Sequence, residues 1–307
     1  MDVWKFLKSN FFRTNKNWQL IVVEFVSYFV MLFVSVIGIV IPAFMLVIPY
    51  VNGAMDWGNF FSTIVSHITY ILFVILIFLI FSLVSLVIWA FTSGGIRASL
   101  VSNILKNERF ELQKFFTNAR KYFGRIVGLW TYIGFFYIAI FILLGGIGSG
   151  VFLLCIKTYE TNPGVAITIG IFLGFIIFLI FAAAGFLLGV YSAIANTYLI
   201  VEDASVGDTI RGTYGFIRTY PGHTFLVVIL IIGITIGASL AYSIITLPVS
   251  MIPYLGAVVS FVLTPISIGI NLYITLFSAI SYINLYLWKT RGLDYSFQTS
   301  IVPENTK

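Results

Sequence analysis

Charged side chains are scarce in this chain: they make up 9% of its 307 residues, while hydrophobic residues make up 60%. A soluble domain carries roughly 25% charged residues, so this composition excludes a water-soluble globule of this size. The same excess of apolar residues excludes a disordered chain. The sequence therefore predicts a polytopic membrane protein.

Residues with reactive or metal-binding side chains are also few. The single cysteine, Cys155, excludes an intrachain disulfide. The two histidines, His67 and His223, lie at opposite ends of predicted spans, and neither has a cysteine or carboxylate at ligand spacing. No acid, base and nucleophile are predicted to converge on one side of the membrane. We therefore expect no catalytic residue, no cofactor and no metal site, and we expect that the protein is not an enzyme.

Six apolar runs are long enough to cross a bilayer, which takes about 20 residues of helix. They cover approximately residues 19–50, 63–92, 127–156, 164–200, 224–248 and 256–288. Continuous runs are typical of helices, whereas a membrane β-barrel shows short alternating segments. The sequence therefore predicts an all-α fold with six transmembrane helices.

Basic residues fall almost entirely on one side of these spans. Of the 17 lysines and arginines, all except Lys157 lie at the termini or in the even-numbered connections. The positive-inside rule assigns that side to the cytoplasm. We therefore expect a multi-pass protein of the plasma membrane with both termini in the cytoplasm.

Amphipathic segments precede the first, third and fifth spans. At 110–123 and 204–220 apolar residues recur at helical spacing, and a shorter version occupies 3–11. Ser205 with Asp208 three residues later matches a capping box. These patterns predict three cytoplasmic amphipathic helices that lie in the headgroup region.

Each amphipathic helix is followed by two spans, so the chain divides into three hairpin units of the same orientation. The predicted units are about 1–92, 106–200 and 204–288, within a single integral membrane domain that ends in a short tail at 289–307. A parallel internal repeat accounts for this pattern. The alternative is that any chain with an even number of spans divides into hairpins.

Glycine pairs spaced four residues apart occur within the spans. Such faces allow transmembrane backbones to approach closely, so they predict helix packing. The pairs are Gly146/Gly150, Gly170/Gly174, Gly185/Gly189 and Gly233/Gly237.

The segment 199–222, LIVEDASVGDTIRGTYGFIRTYPG, resembles a motif of uncharacterised archaeal and bacterial multi-span families similar to the membrane domain of glycerophosphodiester phosphodiesterases. In that motif an apolar triplet and an acid end a span, and an amphipathic helix follows; here Thr209 and Thr213 replace the usual Ala and Ser. The segment 283–294 is similar to that group's final span but lacks an Asp after the tyrosine. The resemblance implies a helical membrane fold without established chemistry, because the fused enzymes carry their activity in a separate soluble domain.

Few polar residues lie within the predicted spans, and we take Glu24, Asn196 and Asn271 as a candidate intramembrane polar site. Glu24 is the only acid inside a span, where an ionisable group usually faces protein or water. One hypothesis makes it a proton or cation site, or the lining of a cavity open to the cytoplasm. The favoured hypothesis pairs it with an arginine or lysine of the cytoplasmic rim, for example Arg97 or Arg125.

Basic and aromatic residues alternate after the second span. Lys114, Arg120, Lys121 and Arg125 are candidate contacts for anionic lipid headgroups. The same chemistry attracts nucleic acid, but lipid is favoured because the cluster lies beside the membrane.

Two functions remain open at this point. The favoured one is a non-enzymatic scaffold or accessory subunit that binds lipids, including anionic headgroups, and other membrane proteins or a second copy of itself. The alternative is a transporter or a channel or translocation subunit with a polar cavity near Glu24 that faces the cytoplasm.

Overall fold

The computed structural model describes residues 1–51, 68–106, 110–250, 252 and 255–293. These residues form eight helices and no strand. The helices are α1 (Val3–Lys16), α2 (Trp18–Val51), α3 (Ile68–Lys106), α4 (Leu112–Tyr159), α5 (Pro163–Val201), α6 (Val206–Thr219), α7 (Pro221–Ser250) and α8 (Leu255–Arg291). Six of them, α2 to α5, α7 and α8, are long and apolar enough to cross a membrane. The predicted all-α polytopic fold is confirmed, and the chain is an integral membrane protein.

Two of the three amphipathic segments form separate helices. The helix α1 ends before a turn at Asn17, and α6 begins directly after its N-cap Ser205, whose hydroxyl oxygen accepts a hydrogen bond from the Asp208 backbone N–H at 3.3 Å. The capping prediction at Ser205 is therefore confirmed. Proline at the first position of a helix is favourable, and Pro221 begins α7 directly after α6.

The expectation of a separate amphipathic helix over 110–123 is wrong. This segment forms the first turns of α4, which continues without a break for 48 residues to Tyr159. The physical reason is that no proline and no Ser, Thr, Asp or Asn cap stands between this segment and the apolar run. Gly124 alone costs only about 1 kcal/mol in a helix, which does not stop it. The parallel repeat of three units stays a prediction.

The helices are much longer than a bilayer is thick. At 1.5 Å per residue α4 extends for about 72 Å, against a hydrocarbon core of about 30 Å. In most of the long helices the buried residues concentrate at one end. In α5, for example, nine of the ten buried residues lie between Val190 and Val201 at its C-terminal end, and the tenth is Ala166. Much of the remaining helical surface consists of exposed large apolar side chains, as lipid contact requires.

The chain forms two compact units. The first comprises Met1–Asn10, Gly124–Thr235 and Ser278–Lys307. Its core contains Tyr286, whose ring packs 5.7 Å from Tyr198 and 5.1 Å from Phe216. The helix α6 approaches α5 closely where Gly212 meets the ring of Tyr198, because a Cβ atom at that position would overlap the ring.

The second unit comprises Phe11–Phe123 and Ile236–Phe277. Its main feature is the pair of α2 and α3. The ring of Phe11 packs 4.7 Å from that of Phe277, and the Tyr273 hydroxyl donates a hydrogen bond of 2.8 Å to the Asn15 side-chain oxygen. These contacts attach the end of α1 to α8 within this unit.

Candidate functional site: the polar seam between α2 and α3

A row of polar side chains joins α2 to α3, and we call it the polar seam. Three hydrogen-bonded pairs define it: Asn17 with Asn103 at 2.6 Å, Ser27 with Thr92 at 3.0 Å, and Ser35 with Ser85 at 3.3 Å. The two residue numbers of each pair add up to 119 or 120. The helices therefore run antiparallel in a constant register over about five turns.

This register places Glu24 beside Arg97, between the first two pairs of the seam. The two opposite charges interact across the helix pair. The carboxylate atom Oε2 of Glu24 and the guanidinium atom Nη1 of Arg97 are both buried, and neither has a hydrogen-bond partner in the described residues. Each charge would be costly to bury alone, so the opposite charge offsets part of its desolvation.

The seam is anchored at the junction of α1 and α2. The side-chain amide of Asn17 donates to the Arg13 carbonyl oxygen at 2.7 Å, while its oxygen accepts the bond from Asn103. Both ends of this amide are thereby used, which fixes its orientation. Arg13 itself is only 6% exposed, and burial lowers the pKa of its guanidinium to about 10, so it stays protonated at neutral pH.

The other two predicted intramembrane polar residues have different environments. Asn196 is fully buried in the first unit, where its amide donates to the Ser192 carbonyl oxygen at 2.7 Å. Its side-chain oxygen has no hydrogen-bond partner in the part of the chain described. Asn271, in the second unit, is exposed. Of the three residues, Glu24 is thus the one that the structure sets against an opposite charge.

The four predicted lipid-contacting residues differ in what they touch. Arg125 donates through Nη1 to the Asp203 carbonyl oxygen at 2.8 Å and to its carboxylate at 2.6 Å. Lys114 pairs with Glu111 at 3.3 Å, and the Lys121 ammonium lies 4.9 Å from the ring centre of Tyr122. Arg120 is exposed, and no hydrogen bond or ion pair links it to the described residues.

A second cluster of charged residues was not predicted from the sequence. The carboxylate of Glu202 accepts a hydrogen bond from the Tyr286 hydroxyl at 3.1 Å and forms an ion pair with Arg291 at 3.4 Å. Arg291 also donates to the Val201 carbonyl oxygen at 3.1 Å. Asp203, the next residue, has a φ of 51°, which is unusual for a residue other than glycine. The adjacent acids Glu202 and Asp203 were a signal of this turn, but their basic partners are distant in sequence.

The described residues contain no group of three His, Cys, Asp or Glu side chains that could hold a metal ion. His67 lies outside the described residues, and the ring of His223 packs 5.3 Å from that of Trp288.

No family model matches the chain, and neither a curated protein nor a solved structure matches it. The resemblance of 199–222 to the membrane domain of glycerophosphodiester phosphodiesterases therefore stays a prediction.

Proposed function

We propose that the protein is a non-enzymatic membrane component, a scaffold or accessory subunit that binds lipids and other membrane proteins or a second copy of itself. The observation that carries this proposal is the polar seam. Its hydroxyls and amides form hydrogen bonds that join α2 to α3, and its one carboxylate interacts with Arg97. Polar groups used in this way stabilise a helix pair rather than line a path for a solute.

Open glycine faces support the partner-binding part of the proposal. Among the paired glycines, Gly170 lies against the Cys155 sulfur, which an added Cβ would approach to 3.3 Å. The other seven would meet no described atom within 4 Å. Small-residue faces are where transmembrane helices of different chains pack closely, so we assign these faces to partner helices.

The distribution of basic residues supports lipid binding on one side. We place both termini and the Arg120 region in the cytoplasm, because the positive-inside rule applies to short connections of this kind. Anionic lipids of that leaflet attract basic residues by about 1 kcal/mol each. Nucleic acid is the less favoured partner, because these residues adjoin spanning helices.

The alternative function, a transporter or channel subunit, has one observation in its favour. Glu24 Oε2 and Arg97 Nη1 have no hydrogen-bond partner among the described residues, and an ion or proton path needs polar atoms that are free to bind. The alternative requires water or solute to reach these two atoms.

Flux measurements separate the two functions. Purified protein is reconstituted in liposomes, and proton, sodium and potassium flux is recorded for the wild type, for Glu24→Gln and for the matched seam control Ser35→Ala. We expect all three to equal protein-free liposomes. A wild-type flux that Ser35→Ala keeps and Glu24→Gln loses would contradict the scaffold proposal and support the alternative.

Photo-crosslinking in native membranes tests partner binding directly. A photoreactive residue at Gly146 should crosslink to another protein or to a second copy of the chain. The same residue at Phe152, on a different face of α4 and 65% exposed, should crosslink to lipid. Lipid adducts alone at both positions would contradict partner binding through the glycine face.

A further inference from the structure

A groove of about 490 Å³ lies within the second unit, between α2, α3 and the beginning of α4. Its walls are mostly apolar and include Val22 and Val26 on α2, Val87 and Phe91 on α3, and Leu112 and Phe116 on α4. The hydrogen-bonded hydroxyls of Ser27 and Thr92 are also among its lining groups. Its volume falls in the range of roughly 300–1,000 Å³ that is typical of ligand sites.

The third wall of the groove is held by aromatic packing. The ring of Phe115 occupies the space that a side chain at Gly95 would need, so a larger residue at that position would displace it. Next to it, Phe116 packs 6.1 Å from Phe91. The beginning of α4 is thereby fixed against α3, and the groove is a built feature of the fold.

The groove faces the hydrocarbon region near its edge. The two helices that form its main walls are spanning helices. The groove begins one turn after Trp18, which is 57% exposed, and exposed tryptophans mark the interface of a membrane with water. Val22 and Val26 are about half exposed, so this side of the groove is not covered by the described residues.

One positive charge at the rim of the groove is not engaged elsewhere in the described chain. Arg120 follows Phe116 by four residues, so the two side chains are neighbours on the same side of α4. It is exposed and forms no ion pair with a carboxylate of the described residues, in contrast to Lys114, which pairs with Glu111. An apolar groove beside a free guanidinium complements an acyl chain attached to an anionic headgroup.

We propose that this groove binds one acyl chain of an anionic phospholipid whose headgroup phosphate contacts Arg120. This inference rests on the proposed lipid binding and adds a defined site to it. The acyl chain fills the space between α2, α3 and the beginning of α4.

The test measures which lipids the protein retains. The chain is reconstituted in vesicles of phosphatidylcholine with phosphatidylglycerol, extracted in mild detergent, and the retained lipid is counted by native mass spectrometry. Val26→Trp fills the groove, whereas Val30→Trp adds the same bulk one turn further along α2, at an exposed position that does not line it. We expect Val26→Trp to lose the retained phosphatidylglycerol and Val30→Trp to keep it.

A charge variant tests the headgroup contact. Arg120→Gln should weaken phosphatidylglycerol retention about fivefold, as expected for about 1 kcal/mol from one basic residue at an anionic surface. Arg218→Gln, which removes an arginine from α6 that is also exposed, should leave retention unchanged.

The outcomes distinguish this site from lipid binding in general. Equal phosphatidylglycerol retention by Val26→Trp and Val30→Trp, with the wild-type preference for phosphatidylglycerol intact, overturns the groove and leaves the proposed lipid binding in place. Equal retention of the two lipids by the wild type overturns the anionic headgroup contact, and retention of neither lipid overturns the proposed lipid binding as well. Phosphatidylglycerol loss that is the same for Arg120→Gln and Arg218→Gln overturns the assignment of the headgroup to Arg120.

Discussion

Glu24 on α2 and Arg97 on α3 face each other across the polar seam, and each has one buried polar atom without a hydrogen-bond partner in the described chain. The pair lies between two hydrogen-bonded contacts, Asn17 with Asn103 and Ser27 with Thr92. Its position is therefore set by the register of the two helices. The pair links the only acid predicted inside a span to an arginine 73 positions later in the sequence.

This pairing predicts energetic coupling between the two residues. Glu24→Gln and Arg97→Gln should each lower the stability by about 3 kcal/mol or less, because each leaves one buried charge unpaired. The double variant should cost roughly 1–3 kcal/mol less than the sum of the two, which thermal unfolding in detergent measures. Additive losses would show that the two charges do not interact.

The register of α2 and α3 predicts a specific crosslink. In a Cys155→Ala background, Ser35→Cys with Ser85→Cys should form a disulfide in membranes under mild oxidation, because the two hydroxyl oxygens lie 3.3 Å apart. Ser35→Cys with Leu83→Cys should form none, since Leu83 lies on another face of α3 and is 64% exposed. Gel mobility before and after reduction distinguishes the two, and crosslinking of only the control pair would mean that the register is wrong.

The close approach of α6 to α5 predicts that Gly212 tolerates no side chain. Gly212→Ala should destabilise the protein by about 1–3 kcal/mol through overlap with the Tyr198 ring. The matched change Gly215→Ala on the same helix meets no described atom and should be neutral or stabilising by up to about 1 kcal/mol, because alanine is the better helix former. Thermal melts of the two variants provide the comparison, and equal melting temperatures would argue against this packing.

The proposed orientation predicts which positions a membrane-impermeant thiol reagent can reach. In sealed cells that express Cys155→Ala protein, Glu160→Cys, between α4 and α5, should be labelled. Asp208→Cys, in the first turn of α6, should be labelled only after the cells are opened. Labelling of Asp208→Cys in intact cells would reverse the orientation. The positions near Asp56 and Pro253 that would complete this test lie outside the described residues.

Local patterns were sufficient for several elements. The helix α6 was predictable because Ser205 supplies a cap at one end and Pro221 begins the next helix at the other. The same reasoning failed at 110–123. There the amphipathic pattern indicates the helix face correctly, with Phe115, Ala119 and Tyr122 buried, but an amphipathic pattern carries no information on whether the helix stops.

The candidate site was predictable only in part. Glu24 stands out in the sequence because a carboxylate inside an apolar run is rare, whichever partner it has. The sequence alone makes Arg97 and Arg125 equal candidates for that partner. The structure separates them: Arg97 interacts with Glu24, whereas Arg125 binds the turn at Asp203. That choice depends on the antiparallel register of α2 and α3, which no local pattern contains.

The sequence by itself determined the membrane class, the number of spanning helices and the all-α fold, because the need to satisfy backbone hydrogen bonds in an apolar solvent leaves a long apolar run little choice but helix. It did not determine which side chains meet. The polar seam, the Glu202 cluster and the groove beside Arg120 each bring together residues that are far apart in the sequence, by up to nearly a hundred positions. Such contacts depend on how helices pack. In lipid, packing is decided by the fit of side chains and a few hydrogen bonds, since burial of apolar surface does not drive helices together there.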